Sequence, residues 1–189
     1  MKRLVIFASG SGSNAENIIN YFKDVTDIAV VSVLSNRKNA GVFERCKRLG
    51  IDCFYFSKDD FTLKNKVLSV LKQSADYIIL AGFLLKIPES IVTAFPNRII
   101  NIHPALLPKY GGKGMYGMHV HATVKENKET ETGITIHFVN KYYDEGAIIF
   151  QAKTVINEAD TPEDIAQKVH LLEYEHFPKI IEKTLLKNG

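Results

Sequence analysis

The stretch Leu4-Val5-Ile6-Phe7-Ala8-Ser9-Gly10-Ser11-Gly12-Ser13-Asn14-Ala15, followed by Ile18, Ile19 and Phe22, reads as strand, turn and helix in that order. Leu4–Ala8 is a continuous apolar run of strand length, and Ala15, Ile18, Ile19 and Phe22 recur at helical spacing. The alternation then repeats. Ile28–Leu34 predicts a second buried strand, and Ala40–Leu49 a helix stopped by Gly50. Asp52–Phe56 predicts a third strand, Phe61–Lys72 a helix, and Tyr77–Ala81 and Arg98–Ile102 two further strands. Between those last two lies Pro88–Ala94, a short helix with Pro in its first turn. Strands buried on both faces and separated by helices form a parallel sheet, so the chain reads as an α/β, Rossmann-like doubly wound fold.

The second half changes character. Lys109–Met118 is a loop with four glycines, and His119–Asn127 a short helix. Gly133–Asn140 alternates, with Ile134, Ile136 and Phe138 on one side and Thr135, His137 and Val139 on the other. Ala147–Val155 is another strand, and the short connection Lys141–Gly146 predicts antiparallel pairing with its predecessor. The sheet should therefore be mostly parallel with an antiparallel portion in the second half. Thr161-Pro162-Glu163-Asp164 starts a last helix with an N-cap, a first-turn Pro and two acids at the positive end of the dipole. That helix should run toward Leu186 and be kinked or interrupted at Pro178.

The 189 residues suit one domain, about 1–100 forming a phosphate-binding half and about 101–189 the other. Hydrophobic residues make up 46% and charged residues 24%, which excludes disordered and fibrous classes. A net charge of +3 without a basic block argues against a duplex nucleic-acid binder and favours a local site for phosphate or carboxylate. The two cysteines, Cys46 and Cys53, form no CxxC pair, so no zinc or redox motif is read. With no charged-then-apolar leader and no apolar run of spanning length, the expectation is a cytoplasmic protein that meets no membrane.

Three groups of residues carry chemistry. Ser9-Gly10-Ser11-Gly12-Ser13-Asn14 lies between a strand and a helix, where glycines admit close approach and the helix N-terminus favours an anion. A phosphate fits there; a plain turn capped by Ser13 and a dinucleotide site are the alternatives. For the latter, the acid that binds ribose is missing, since Ser35-Asn36-Arg37 occupies its place. In Ile100-Asn101-Ile102-His103-Pro104, Pro104 ends a strand and alternation puts Asn101 and His103 on one face. An amide donor beside an imidazole suits a reaction in which a carbonyl oxygen gains charge while a proton moves. Asp144-Glu145-Gly146 is either a hairpin turn or the carboxylate that partners His103. His170 and Glu173 share one face of the last helix, where solvent exposure is usual and contact with sugar hydroxyls is the alternative.

Taken together, Ser-Gly-x-Gly-Ser-Asn at 9–14, Leu80-Ala81-Gly82-Phe83, Asn101-Ile102-His103-Pro104, Leu106-Leu107-Pro108-Lys109 and Asp144-x-Gly146 resemble the phosphoribosylglycinamide formyltransferase family. The likeness extends from Leu4 to about Pro178. It implies the formyltransferase fold and transfer of the formyl group of 10-formyltetrahydrofolate, the co-substrate, to the amine of 5-phosphoribosylglycinamide, with no metal. By the same resemblance Asn101, His103 and Asp144 match the catalytic trio. Gly12, Ser13 and Asn14 match the phosphate turn, and Glu173 and His170 match positions that meet the ribose. Leu84, Leu85, Lys86 and Ile87, together with Asn101 and with Asn140, Lys141, Tyr142, Tyr143 and Asp144, match the folate-binding segments. Lys58 is a loose candidate for the cation that meets the folate carboxylates. His119 and His137 match histidines near the reaction centre. The partners implied are those two small molecules, in a monomer or homodimer.

Three features depart from the family pattern. The loop Lys109–Met118 is longer and richer in glycine, Leu84-Leu85-Lys86 stands where Met-Arg is common, and the carboxylate-binding cation lacks a clean counterpart. Within formyltransferases, the methionyl-tRNA enzyme and a folate deformylase share the Asn-His-Asp logic. The first normally carries an additional carboxyl-terminal domain and the second an amino-terminal one, and neither is expected in 189 residues. From another class, a dinucleotide-dependent oxidoreductase or a nucleotide sensor could use the same glycine-rich turn, but it would have no use for Asn101, His103 and Asp144 together.

Overall fold

The computed structural model describes residues 1–187 and divides into two compact units, Met1–Ile100 and Asn101–Gly189. The first is built on β1 (Lys2–Phe7), β2 (Ile28–Ser35), β3 (Cys53–Tyr55) and β4 (Tyr77–Leu80). These strands lie in the order β3-β2-β1-β4, and each pairing is parallel. Strand order runs one way from β1 to β3 and then reverses to β4. Right-handed crossovers therefore place the helices of the two branches on opposite faces of the sheet. The helices on the way to β3 are α1 (Ser13–Phe22) and α2 (Val42–Leu49), which pack on each other. Those after β3 are α3 (Lys58–Thr62), α4 (Lys66–Ser74) and α5 (Glu89–Ala94). The reversal point lies between β1 and β4, and ligands of such sheets bind outside the carboxyl ends of the strands at that point.

Burial explains why the apolar runs became strands. Leu4, Val5, Ile6 and Phe7 are all fully buried, as are Ile78 and Ile79 of β4. Beneath the carboxyl edge, Phe7, Phe56, Phe61 and Phe83 form an aromatic cluster with ring centroids 5.0–6.1 Å apart. Gly50 closes α2 in the left-handed conformation, as its position predicts.

The single helix expected over Phe61–Lys72 is two helices. Ser57 and Asp60 form a capping box that starts α3 early, and Asn65 adopts φ 50° before α4. A left-handed residue cannot lie within an α-helix, so the break is local backbone chemistry that hydrophobic spacing does not report.

In the second unit, β6 (Glu131–Phe138) and β7 (Ile148–Val155) pair antiparallel, as the short connection predicts. Helices α6 (Met118–Glu126) and α7 (Pro162–Lys187) pack on each other, and α7 covers both strands. The parallel strands of the first unit and this antiparallel pair make the fold α/β, mostly parallel with an antiparallel portion. A further strand, β5 (Ile99–His103), runs through the residue at which the chain passes from the first unit to the second.

Of the two outcomes expected at Pro178, a kink or an interruption, the interruption does not occur: α7 continues through it. Phe177 and Ile181, on either side of it, are fully buried, and that anchoring holds the helix through the turn where proline removes one backbone donor. Thr161 caps the helix start as predicted: its hydroxyl accepts from Asp164 N at 3.1 Å, and the Asp164 carboxylate accepts from Thr161 N at 2.9 Å. Among the described residues, no helix is long and apolar enough to cross a membrane.

Candidate active site

The end of β5 is held by the polar side of β6. Thr135 is fully buried; its hydroxyl donates to Ala105 O at 2.7 Å and accepts from Leu107 N at 3.0 Å and Gln151 Nε2 at 2.8 Å. One donor and two acceptor positions are thereby filled, which fixes the backbone just beyond His103. Two residues along, His137 holds Asn101. The alternation in β6 thus separates an apolar face from a hydrogen-bonding face, and both are buried.

Tautomers follow from the partners. His137 Nδ1 lies 2.9 Å from Phe138 O, and a carbonyl only accepts, so Nδ1 carries the proton. Its Nε2 is then an acceptor, so the Asn101 atom 3.0 Å away is the amide nitrogen. Burial, the largest effect, holds the His137 pKa below its ordinary value, although the nearby Asp144 opposes this. His137 is therefore a neutral support for the Asn101 amide.

His103 is set the other way round. Its Nε2 donates to Tyr110 O at 2.7 Å, which leaves Nδ1 facing Asp144 Oδ2 at 3.7 Å. Asp144 also lies 3.7 Å from His137 Nε2, and its Oδ2 accepts from Gly112 N at 2.9 Å. The buried His103, the half-buried Asn101 and Asp144, and His137 thus form one cluster within the second unit. A protonated Nδ1 and the second N–H of the Asn101 amide can stabilise an oxyanion, with Asp144 as counter-charge.

Asp144 does not sit in a tight hairpin. It has φ 53° in a nine-residue connection, and Gly146 lies so close to β6 that a Cβ there would stand 1.6 Å from Phe138 O. Of the other residues of this connection, Tyr142 N donates to Asn140 Oδ1 at 2.8 Å, and Lys141 lies over the Tyr142 ring. Lys141, Tyr142 and Tyr143 are exposed.

On α7, His170 Nδ1 and Glu173 Oε2 meet at 3.0 Å, and the His170 ring stands edge-on to Tyr174. His119 is exposed at the start of α6. His121, which no motif named above contains, is buried on the same helix with an unpartnered Nδ1. Burial lowers its pKa, with Glu173 acting in the opposite sense. The His-x-His spacing at 119 and 121 was the available signal.

In the first unit, the helix cap is Gly12, not Ser13. Gly12 has φ 78°, and a Cβ there would lie 2.5 Å from Val42 Cγ2, so both conformation and packing require glycine. Arg45 donates to Ser11 O at 2.9 Å, and Arg45 and Arg48 both pair with Glu16. At the reversal point, Ser9 N donates to Gly82 O at 3.0 Å; the Ser9 hydroxyl donates to Asn36 Oδ1 at 2.6 Å and accepts from Leu84 N at 3.0 Å. Leu84 and Leu85 are half-buried, Lys86 is exposed, and Ile87 is buried. Lys58 is exposed at the first position of α3. Among the described residues, no group of three or more His, Cys, Asp or Glu side chains is placed to hold a metal ion.

Residues 2–181 match the formyl transferase family model. A Bacillus subtilis protein named phosphoribosylglycinamide formyltransferase is 34% identical over 195 residues, covering 100% of this chain and 97% of its own length. The chain belongs to the phosphoribosylglycinamide formyltransferase family. The Arabidopsis thaliana protein of that name, termed chloroplastic, is 40% identical over 95% of this chain. The chain spans 64% of that relative and 60% of its Vigna unguiculata counterpart, less than two thirds of either. Among solved structures, phosphoribosylglycinamide formyltransferase from Bacillus halodurans superposes with a TM-score of 0.89 at 33% identity, covering 100% of this chain and 97% of the other. The fold is therefore the formyltransferase fold.

Proposed function

We propose that the chain transfers the formyl group of 10-formyltetrahydrofolate to the amine of 5-phosphoribosylglycinamide, giving formylglycinamide ribonucleotide and tetrahydrofolate in purine biosynthesis. The observation that carries this reading is the orientation of His103. Its Nε2 is committed to Tyr110 O, so the nitrogen free to gain and lose a proton is the one facing Asp144. Family membership supplies the substrates.

The substrate amine attacks the formyl carbon, and the carbonyl oxygen becomes an oxyanion. Asn101, through the N–H not used by His137, and protonated His103 stabilise that charge. The amine then loses a proton, the bond between the formyl carbon and N10 breaks, and N10 takes up a proton. His103 and Asp144 carry the proton between them, so the overall step is balanced without a covalent enzyme intermediate or a metal.

In this reading the turn at Gly12, Ser13 and Asn14 holds the substrate phosphate, at the positive end of the ten-residue α1. His170 and Glu173 meet the ribose. Leu84 to Ile87 and Lys58 of the first unit serve folate binding, the latter toward the carboxylates, and Asn101 and Asn140 to Asp144 of the second unit serve it as well. The two units act as one formyltransferase domain, in the cytoplasm, as a monomer or homodimer.

The deciding experiment incubates purified protein with both substrates and measures product mass. We expect the ribonucleotide to gain one formyl group in step with tetrahydrofolate release. A folded protein that yields no formylated product with both substrates present would overturn the reading.

A further inference from the structure

The segment that follows the β5 end contains a contact that none of the proposed roles uses. Tyr110 has φ 57°, in a region that residues other than Gly, Asn and Asp rarely enter. Such a backbone persists where surrounding contacts over-determine it. Here the contacts act on the phenol. Its hydroxyl donates to Glu129 Oε1 at 2.8 Å and accepts from Asn127 Nδ2 at 3.1 Å. Lys109 Nζ donates to the same Glu129 oxygen at 2.9 Å.

Both anchors belong to the turn that ends α6. Asn127 N bonds to Thr123 O at 3.0 Å, Lys128 N to Lys125 O at 3.0 Å and Glu129 N to Val124 O at 3.3 Å. The phenol is therefore tied to the end of a regular helix. Burial, then the bond to Glu129, raises the pKa of Tyr110, while Lys109 and then Tyr110 lower that of Glu129. The pair stays a neutral donor and a charged acceptor, the stronger kind of hydrogen bond.

We propose that Tyr110 is a positioning residue: its phenol, clamped by Glu129 and Asn127, locks a left-handed backbone whose carbonyl fixes the Nε2–H tautomer of His103. The orientation matters because the opposite tautomer would put the proton on the nitrogen facing Asp144 and leave Nε2 against an acceptor. Two acceptors facing each other at 2.7 Å repel, so the carbonyl selects one neutral form. Gly112, two residues on, fixes Asp144 through its N–H. A three-residue segment thus sets both members of the proposed proton-carrying pair, with Glu129 and Asn127 as its anchor.

The inference rests on His103 being the catalytic imidazole, and its test has one arm that needs no turnover. Tyr110→Phe keeps the ring and removes the clamped hydroxyl, Glu129→Ala removes the acceptor, and Glu129→Gln restores an acceptor without charge. Nitrogen-15 NMR of the imidazole, assigned with His103→Gln, reads the tautomer in the ligand-free protein. In the wild type we expect the neutral imidazole to be a single Nε2–H form. In Tyr110→Phe and Glu129→Ala we expect a mixture, with kcat lowered roughly tenfold to thirtyfold, as for one lost hydrogen bond, and both KM values within about twofold. Glu129→Gln should recover the wild-type tautomer and most of the kcat. The clamp is overturned if Tyr110→Phe leaves the His103 nitrogen shifts unchanged, whether or not activity or melting temperature falls. A wild type that shows the single tautomer but no formyl transfer would refute the proposed function and leave the clamp standing.

Discussion

His137 Nε2 lies 3.0 Å from the amide nitrogen of Asn101, and the opposite ring nitrogen is committed to a backbone carbonyl. The histidine therefore reaches Asn101 only as an acceptor, and it decides which end of the amide points into the site. A flipped amide would set its oxygen against the lone pair of Nε2 and offer no N–H to a developing oxyanion.

From this we expect His137→Leu to lower kcat by roughly ten- to a hundredfold, the scale for a displaced oxyanion donor, while folate affinity changes less than about threefold. His137→Gln, whose side-chain oxygen can still accept, should lose less. Steady-state kinetics and calorimetry on both variants check this. Equal activity in His137→Leu and wild type would show that the Asn101 amide needs no such support.

Asp144→Asn should keep the loop and lose the reaction. The amide oxygen can still accept from Gly112 N, so the connection retains its anchor, but the charge 3.7 Å from His103 Nδ1 disappears. We expect kcat to fall by roughly two to four orders of magnitude, the scale of lost acid–base help, with an unchanged melting temperature. A variant that keeps most of its turnover would leave Asp144 with a purely structural place in the loop.

Gly12→Val places a Cβ within 2.8 Å of the Val42 backbone and forces φ 78° on a β-branched residue. We expect a loss of stability of about 2–4 kcal/mol, measured by urea unfolding, and loss of ribonucleotide binding in whatever folded protein remains. Folate binding per folded molecule should be less affected. Should both ligands be lost in equal measure from folded protein, the turn would not be a phosphate site.

Two buried histidines make stability depend on pH. Burial holds His121 and His137 below the ordinary value of 6.5. Well above pH 6.5 neither folded nor unfolded chain protonates them, and their contribution to stability is complete. As the pH falls through 6.5 and below, the unfolded chain binds protons that the folded one refuses, and stability drops until the depressed folded values are reached. Urea midpoints at about pH 7.5, 6.5 and 5.5 should decline in that order, and His121→Asn should flatten the decline. A midpoint constant over this range contradicts the argument.

The fold was largely readable because its signals are local. Leu4–Phe7 and Ile78–Leu80 are buried as their composition demands, and the brief connection before Ile148 forces antiparallel pairing. What escaped had other causes. The break at Asn65 is a backbone conformation, and the unbroken course of α7 through Pro178 depends on burial of Phe177 and Ile181, neither of which periodicity reports. In the candidate site, Asn101 and His103 stand out as residue types in a pattern, whereas Asp144 reads equally as a turn residue and is picked out only by the family resemblance. Tyr110 and Gly112 act through a carbonyl and an N–H, groups every residue possesses, so nothing in the letters distinguishes them. Glu129 lies nineteen positions from the phenol it holds, and only the folded chain brings the two together.

Ser9 has a consequence for how the first unit responds to change. One hydroxyl oxygen joins the exits of three strands: it belongs to the end of β1, reaches Asn36 after β2, and receives Leu84 N after β4. A ligand that competes for the Leu84 loop would therefore face escape mutations at positions it never touches. Replacing Asn36 frees the Ser9 hydroxyl to rotate, and the loop then loses the acceptor that holds its backbone. Resistance surveys confined to residues in contact with such an inhibitor would overlook both Ser9 and Asn36.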